Sequence, residues 1–92
     1  MDYLKLIAER CKASVSVTIN KHRDYYQSVQ DAINEEADWY GNIDEETFNK
    51  MIDTDTIVSI QFYPNTPIGF YTVHHYDLTE ALKKAWEILE NE

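Results

Sequence analysis

The chain has 92 residues, of which 17 are acidic and 8 basic, a formal charge of −9, and a hydrophobic share of 43%. A chain of this length makes one domain that buries about 60–65% of its unfolded surface, and this apolar share argues against wholesale disorder. The acid excess argues against direct nucleic-acid binding and against docking on anionic membrane, because both rely on clustered Lys and Arg.

Cys11 is the single cysteine, so no intrachain disulfide can form. The start Met1-Asp2-Tyr3-Leu4-Lys5 lacks the basic and apolar regions of a signal peptide. No stretch reaches the roughly 18 apolar residues that span a bilayer. The expected location is the cytoplasm.

Leu4, Ile7, Ala8 and Cys11 fall at i, i+3, i+4 and i+7, one apolar stripe of a short helix over residues 2–11 with Asp2 as its cap. Cys11 on that stripe reads as an inert core thiol. Residues 14–20 then alternate, Val15, Val17 and Ile19 against Ser14, Ser16, Thr18 and Asn20. Period two predicts a half-buried strand with one polar face.

From about residue 23 to 39 the spacing is helical again, with Val29, Ala32, Ile33 and Ala37 inward, and Gly41-Asn42 ends it. Asp44 caps a shorter helix with Glu45 and Glu46 in its first turn, where the helix dipole favours anions. Phe48, Met51 and Ile52 are its inward residues. Residues 56–63 and 68–76 are rich in β-branched and aromatic side chains, and Pro64-Asn65-Thr66-Pro67 between them fits a four-residue hairpin loop. Asp77-Leu78-Thr79-Glu80 resembles a capping box opening a last helix over 78–90.

The order α-β-α-α-β-β-α predicts an α+β domain: a three-stranded, mainly antiparallel sheet with a C-terminal hairpin and helices packed on one face. Without its first helix, this order resembles one class of KH domains, which clamp nucleic-acid backbone with a GxxG loop. The corresponding loop here is Gly41-Asn42-Ile43-Asp44, followed by Glu45-Glu46. It lacks the second glycine and carries the wrong charge, so RNA binding is not carried over.

Chemistry-bearing motifs are sparse. His74 and His75 are adjacent on a strand and point to opposite faces, so they do not readily share one metal. Asp53-Thr54-Asp55 starts like a calcium loop but has neither the turn glycine nor the distal Glu. No serine sits in a nucleophile elbow, no glycine-rich phosphate loop occurs and no cofactor is implied. A small metal-binding or enzymatic domain built on His74, His75 and carboxylates is the catalytic alternative.

The charge is unevenly spread: residues 31–56 carry nine acids and one base, whereas residues 1–30 carry three acids and five bases. Asp31, Glu35 and Asp38 share one helix face, and with Glu36, Asp44, Glu45 and Glu46 they form the candidate acidic surface. If Tyr63 and Ile68 are the last pair before the loop, cross-strand positions sum to 131. Val58, Ile60, Phe62, Tyr71 and Val73 then make the core face. Tyr63, Ile68, Phe70, Thr72 and His74 fall on the other face, the second candidate surface.

The expected function is a non-catalytic interaction module that binds a protein, one of basic character, or a second copy of itself. An acidic accessory protein of a phage or mobile element, blocking a basic nucleic-acid-binding groove, is the sharper form of that expectation.

Overall fold

The computed structural model describes residues 2–21 and 43–91. The predicted helix over 23–39, and with it Asp31, Glu35, Glu36 and Asp38, lies outside the described residues. The elements that are described follow the expected order: α1 (Tyr3–Arg10), β1 (Val15–Asn20), α2 (Glu45–Thr54), β2 (Ile57–Phe62), β3 (Tyr71–His75) and α3 (Leu78–Glu90). They form an α+β domain.

All three described helices open on an Asp cap. Asp2 accepts from the Lys5 amide at 3.1 Å, Asp44 from Thr47 at 2.7 Å and Asp77 from Thr79 at 3.0 Å. Each bond satisfies one of the amides that a helix start leaves without an internal partner. The expected capping box is completed differently at α3. The amide of Asp77 donates to His75 Nδ1 at 3.0 Å, so the ring before the helix does the work assigned to Glu80.

α1 closes by a 6→1 bond, with the Ala13 amide donating to the Ala8 carbonyl at 3.0 Å. This turn puts Lys12 (φ 52°) and Ala13 (φ 65°) in the left-handed region, without a glycine in either place. α2 ends in the same way: Thr56 donates to Met51 O at 3.1 Å and Asp55 is left-handed at φ 51°.

The sheet has the order β1-β2-β3 and is antiparallel throughout. β1 and β2 pair with positions summing to 77, from Val15↔Phe62 to Asn20↔Ile57. β2 and β3 pair from Val58↔His75 to Phe62↔Tyr71, a sum of 133 where 131 was expected. The strands stop short because residues 63–69 form two successive β-turns. Thr66 donates to Tyr63 O and Gly69 donates to Thr66 O, both at 3.0 Å, with Pro64 and Pro67 at the second position of each turn. Proline presets φ there and has no amide to give a ladder. A displacement of two preserves the alternation, so the expected core face survives the change of register.

That face carries the core. Val58, Ile60, Phe62 and Val73 pack with Ile7 of α1, with Cys11 at that helix's C-terminal end, and with Ala81, Ala85 and Leu89 of α3. The two alanines sit one turn apart and let α3 lie close on the strands. Tyr3 joins the edge of the cluster, whereas Leu4, expected inward, is exposed. Phe48, Met51 and Ile57 are fully buried outside this cluster, and by alternation Ile57 faces away from Val58.

The left-handed positions give a paired test. Gly69 sits at φ +71°, and a β-carbon added there would meet nothing within 4 Å. Gly69→Ala therefore costs only backbone strain, about 1 kcal/mol. Lys12→Gly relieves the same strain, about 1 kcal/mol, partly offset by glycine's greater freedom in the unfolded chain, and raises stability slightly. Urea denaturation with unchanged m values is the measurement; the two midpoints move in opposite directions.

Candidate interaction surface

The face of the sheet away from the core is built from polar rows. Alternation and register align Ser16, Gln61 and Thr72 across the three strands, and Thr18, Ser59 and His74 beside them. Thr72 Oγ1 donates to Gln61 Oε1 at 2.9 Å, and Ser59 Oγ lies 2.9 Å from His74 Nδ1. Side chains expected to be offered to a ligand thus bond to each other across strands. Thr72 and His74 are half-buried.

Burial pushes the His74 imidazole down to about 4, so the ring is neutral at physiological pH. The Ser59–His74 pair has the spacing of a nucleophile and a base. A histidine held this low has little drive to take a proton from serine, since general bases work best with a pKa near ambient pH. His75 is on the opposite face, buried, stacked on Tyr76 at 4.4 Å and bonded to the α3 cap. Burial is the first cause of its lowered pKa, followed by the nearby Lys84 ammonium.

Beside β3 a cleft of about 60 Å³ is lined by Ile43, Thr72, His74 and Lys84 among others. It is far smaller than the ~300–1,000 Å³ of sites that enclose drug-sized ligands. Among the described residues no three His, Cys, Asp or Glu side chains come together to hold a metal, and no helix is long and apolar enough to cross a membrane. Cys11 is buried, and burial raises its thiol pKa.

At the loop end of the sheet two aromatic side chains reach solvent. Tyr63 is 42% exposed and Phe70 70%. They are the next residues outward from the Phe62↔Tyr71 pair. Tyr63 is held twice from the β1 side, its amide donating to Ser14 O and its hydroxyl lying 3.3 Å from Ser16 Oγ. Asn65 Nδ2 donates to Ser14 Oγ at 2.6 Å. The buried Thr66 hydroxyl shares its proton between Tyr63 O at 2.8 Å and Gly69 O at 3.1 Å. Ile68, expected beside Tyr63 and Phe70 on the outer face, instead packs on the core cluster, because the second turn carries it inward.

Asp44, Glu45 and Glu46 are exposed at the start of α2. The Asp44 carboxyl is held below its ordinary pKa chiefly by the hydrogen bonds from Thr47. Its charge is felt by His75, at the end of β3 remote from the loop. Asp44 and the aromatic pair therefore sit toward opposite ends of β3.

Two apolar residues were not anticipated as surface. Val17 and Ile19 lie on the helix side of β1, yet they are 37% and 57% exposed, because the cluster formed with α1 and α3 reaches Val15 of β1 but not these two. Alternation assigned them to the core side correctly. Nothing in the pattern revealed that the described helices stop short of them.

The neutral His74 makes stability pH-dependent. The folded ring takes its proton near 4 and the unfolded chain's near 6.5, so the native state binds fewer protons between those values. This contribution is complete above about 6.5 and is lost as pH falls toward 4, at up to about 1.4 kcal/mol per pH unit. His74→Gln keeps a side-chain acceptor for Ser59 and removes the titration. Its unfolding free energy should fall less steeply than wild type from pH 6.5 to 4, as read from denaturant midpoints; parallel slopes would contradict the assignment.

No protein-family model, curated protein or solved structure matches the chain.

Proposed function

We propose that the chain is a non-catalytic protein-interaction module that docks through the loop end of its sheet, with Phe70 as anchor and Tyr63 beside it. The observation that carries this reading is the 70% exposure of Phe70 on a loop fixed by its own hydrogen bonds. A phenyl ring left in water costs the free protein and rewards a partner that covers it. Because the tandem turn fixes the loop in advance, little conformational entropy remains to be lost on docking. The charge of −9 favours a partner with a basic surface around an apolar pocket and speeds their encounter.

Wild-type and Phe70→Ala proteins, immobilised at equal loading, test the reading. An aromatic anchor typically contributes 2 kcal/mol or more, so the variant should lose specific partners with about 30-fold weaker binding or worse. Its thermal unfolding should match wild type, since the ring is exposed. The retained partners should dissociate more readily as salt rises. If both proteins capture the same set with equal affinity, the loop end is not the docking site.

A further inference from the structure

We propose that the outer edge of β1 pairs with the same edge of a second copy, joining two three-stranded sheets into one continuous six-stranded sheet. This inference is independent of the loop-end docking proposed above.

The direction of each backbone group on β1 follows from one bond. The Tyr63 amide donates to Ser14 O, and these two positions continue the β1–β2 register. In an antiparallel ladder, directly bonded pairs alternate with unbonded ones. Ser16, Thr18 and Asn20 therefore turn their amides and carbonyls toward β2. Val15, Val17 and Ile19 turn theirs outward, where no described strand meets them.

These same three residues carry the strand's apolar side chains, and Val17 and Ile19 are the two that the described helices leave uncovered. The edge also lacks the usual guards against pairing. No lysine, proline, glycine or charged residue interrupts Val15–Asn20.

The occupant is a second copy because the strand is complementary to itself. With Val17 opposite Val17 of the second copy, Val15 meets its Ile19 and Ser16 meets its Thr18. Every outward amide and carbonyl from Val15, Val17 and Ile19 then has a partner. Each side-chain pair is one that stabilises sheets, apolar β-branched against its like and Ser against Thr. Both copies keep their helices on the same side, because the paired residues have matching parity. Ala13, not Lys12, falls opposite the second copy's Lys21, so no like charges are directly opposed along the described strand.

Each copy carries −9, so added salt should strengthen this dimer by screening the repulsion, the opposite of the salt response expected for a basic partner. Sedimentation equilibrium over rising protein concentration should show a monomer–dimer equilibrium. Val17→Lys places two lysines face to face at the symmetry axis and should give a monomer with unchanged circular dichroism. Mixing Val17→Lys with Val17→Glu should restore a dimer, now of the two variants.

Amide exchange supplies a second readout. Val15, Val17 and Ile19 should exchange slowly in concentrated protein and quickly on dilution, while Ser16 and Thr18 stay protected in both. A wild type that remains monomeric at every concentration overturns the proposal. So does a Val17→Lys protein that dimerises as well as wild type.

Discussion

β2 is the strand on which the remainder depends. It is the only described strand with a neighbour on each side, and its backbone groups alternate between them. The bonding of Ser14 to Tyr63 sends Ile57, Ser59 and Gln61 toward β1, which leaves Val58, Ile60 and Phe62 to bond β3. The side chains of Val58, Ile60 and Phe62 also form the centre of the core beneath α1 and α3. One six-residue strand thus sets both ladders and the buried face, and a slip of one residue would turn that core outward.

The same alternation determines what the two edges offer. β3 presents the backbone of Thr72 and His74 outward, beside the cleft lined by Lys84 and Ile43. Its side chains at those positions are engaged by Gln61 and Ser59, so the edge belongs to a bonded polar lattice. β1 differs. Its outward backbone groups coincide with its apolar side chains, and Thr18 on its other face is exposed. An edge of that kind combines unpaired backbone groups with apolar side chains, the combination that favours strand addition.

Much of this architecture was legible in the sequence. Residues 78–90 were read as the last helix with its Asp77 cap, and the alternation of 14–20 placed β1 to within a residue. Asp44 with Glu45 and Glu46 marked the start of α2 because capping is local chemistry. What escaped depends on partners distant in sequence. The hairpin register turned on whether Thr66 would bridge two proline turns, and the inward placement of Ile68 followed from that choice. The bond from the Asp77 amide to His75 Nδ1 satisfies a cap amide that motif reasoning assigns to Glu80. Exposure of Val17 and Ile19 required knowing where the helices end laterally. A period-two pattern names the residues that share a face but says nothing of what lies over it.

The two apolar features lie at different places on the sheet, and their separation bears on how the protein could work. Val15 of β1 pairs with Phe62, so the loop bearing Phe70 sits at the N-terminal end of β1. Antiparallel pairing of two β1 edges would place the second loop at the other end of the joined strands. Six residues at about 3.4 Å each separate those ends by roughly 20 Å along the strand direction alone, and the width of the sheet adds to it. Two Phe70 anchors so placed would be too far apart for one small pocket. They would suit a partner that presents two equivalent pockets, itself a symmetric dimer or a repeating surface. On such a partner the second contact becomes intramolecular, and two modest anchors hold far more tightly than either one alone.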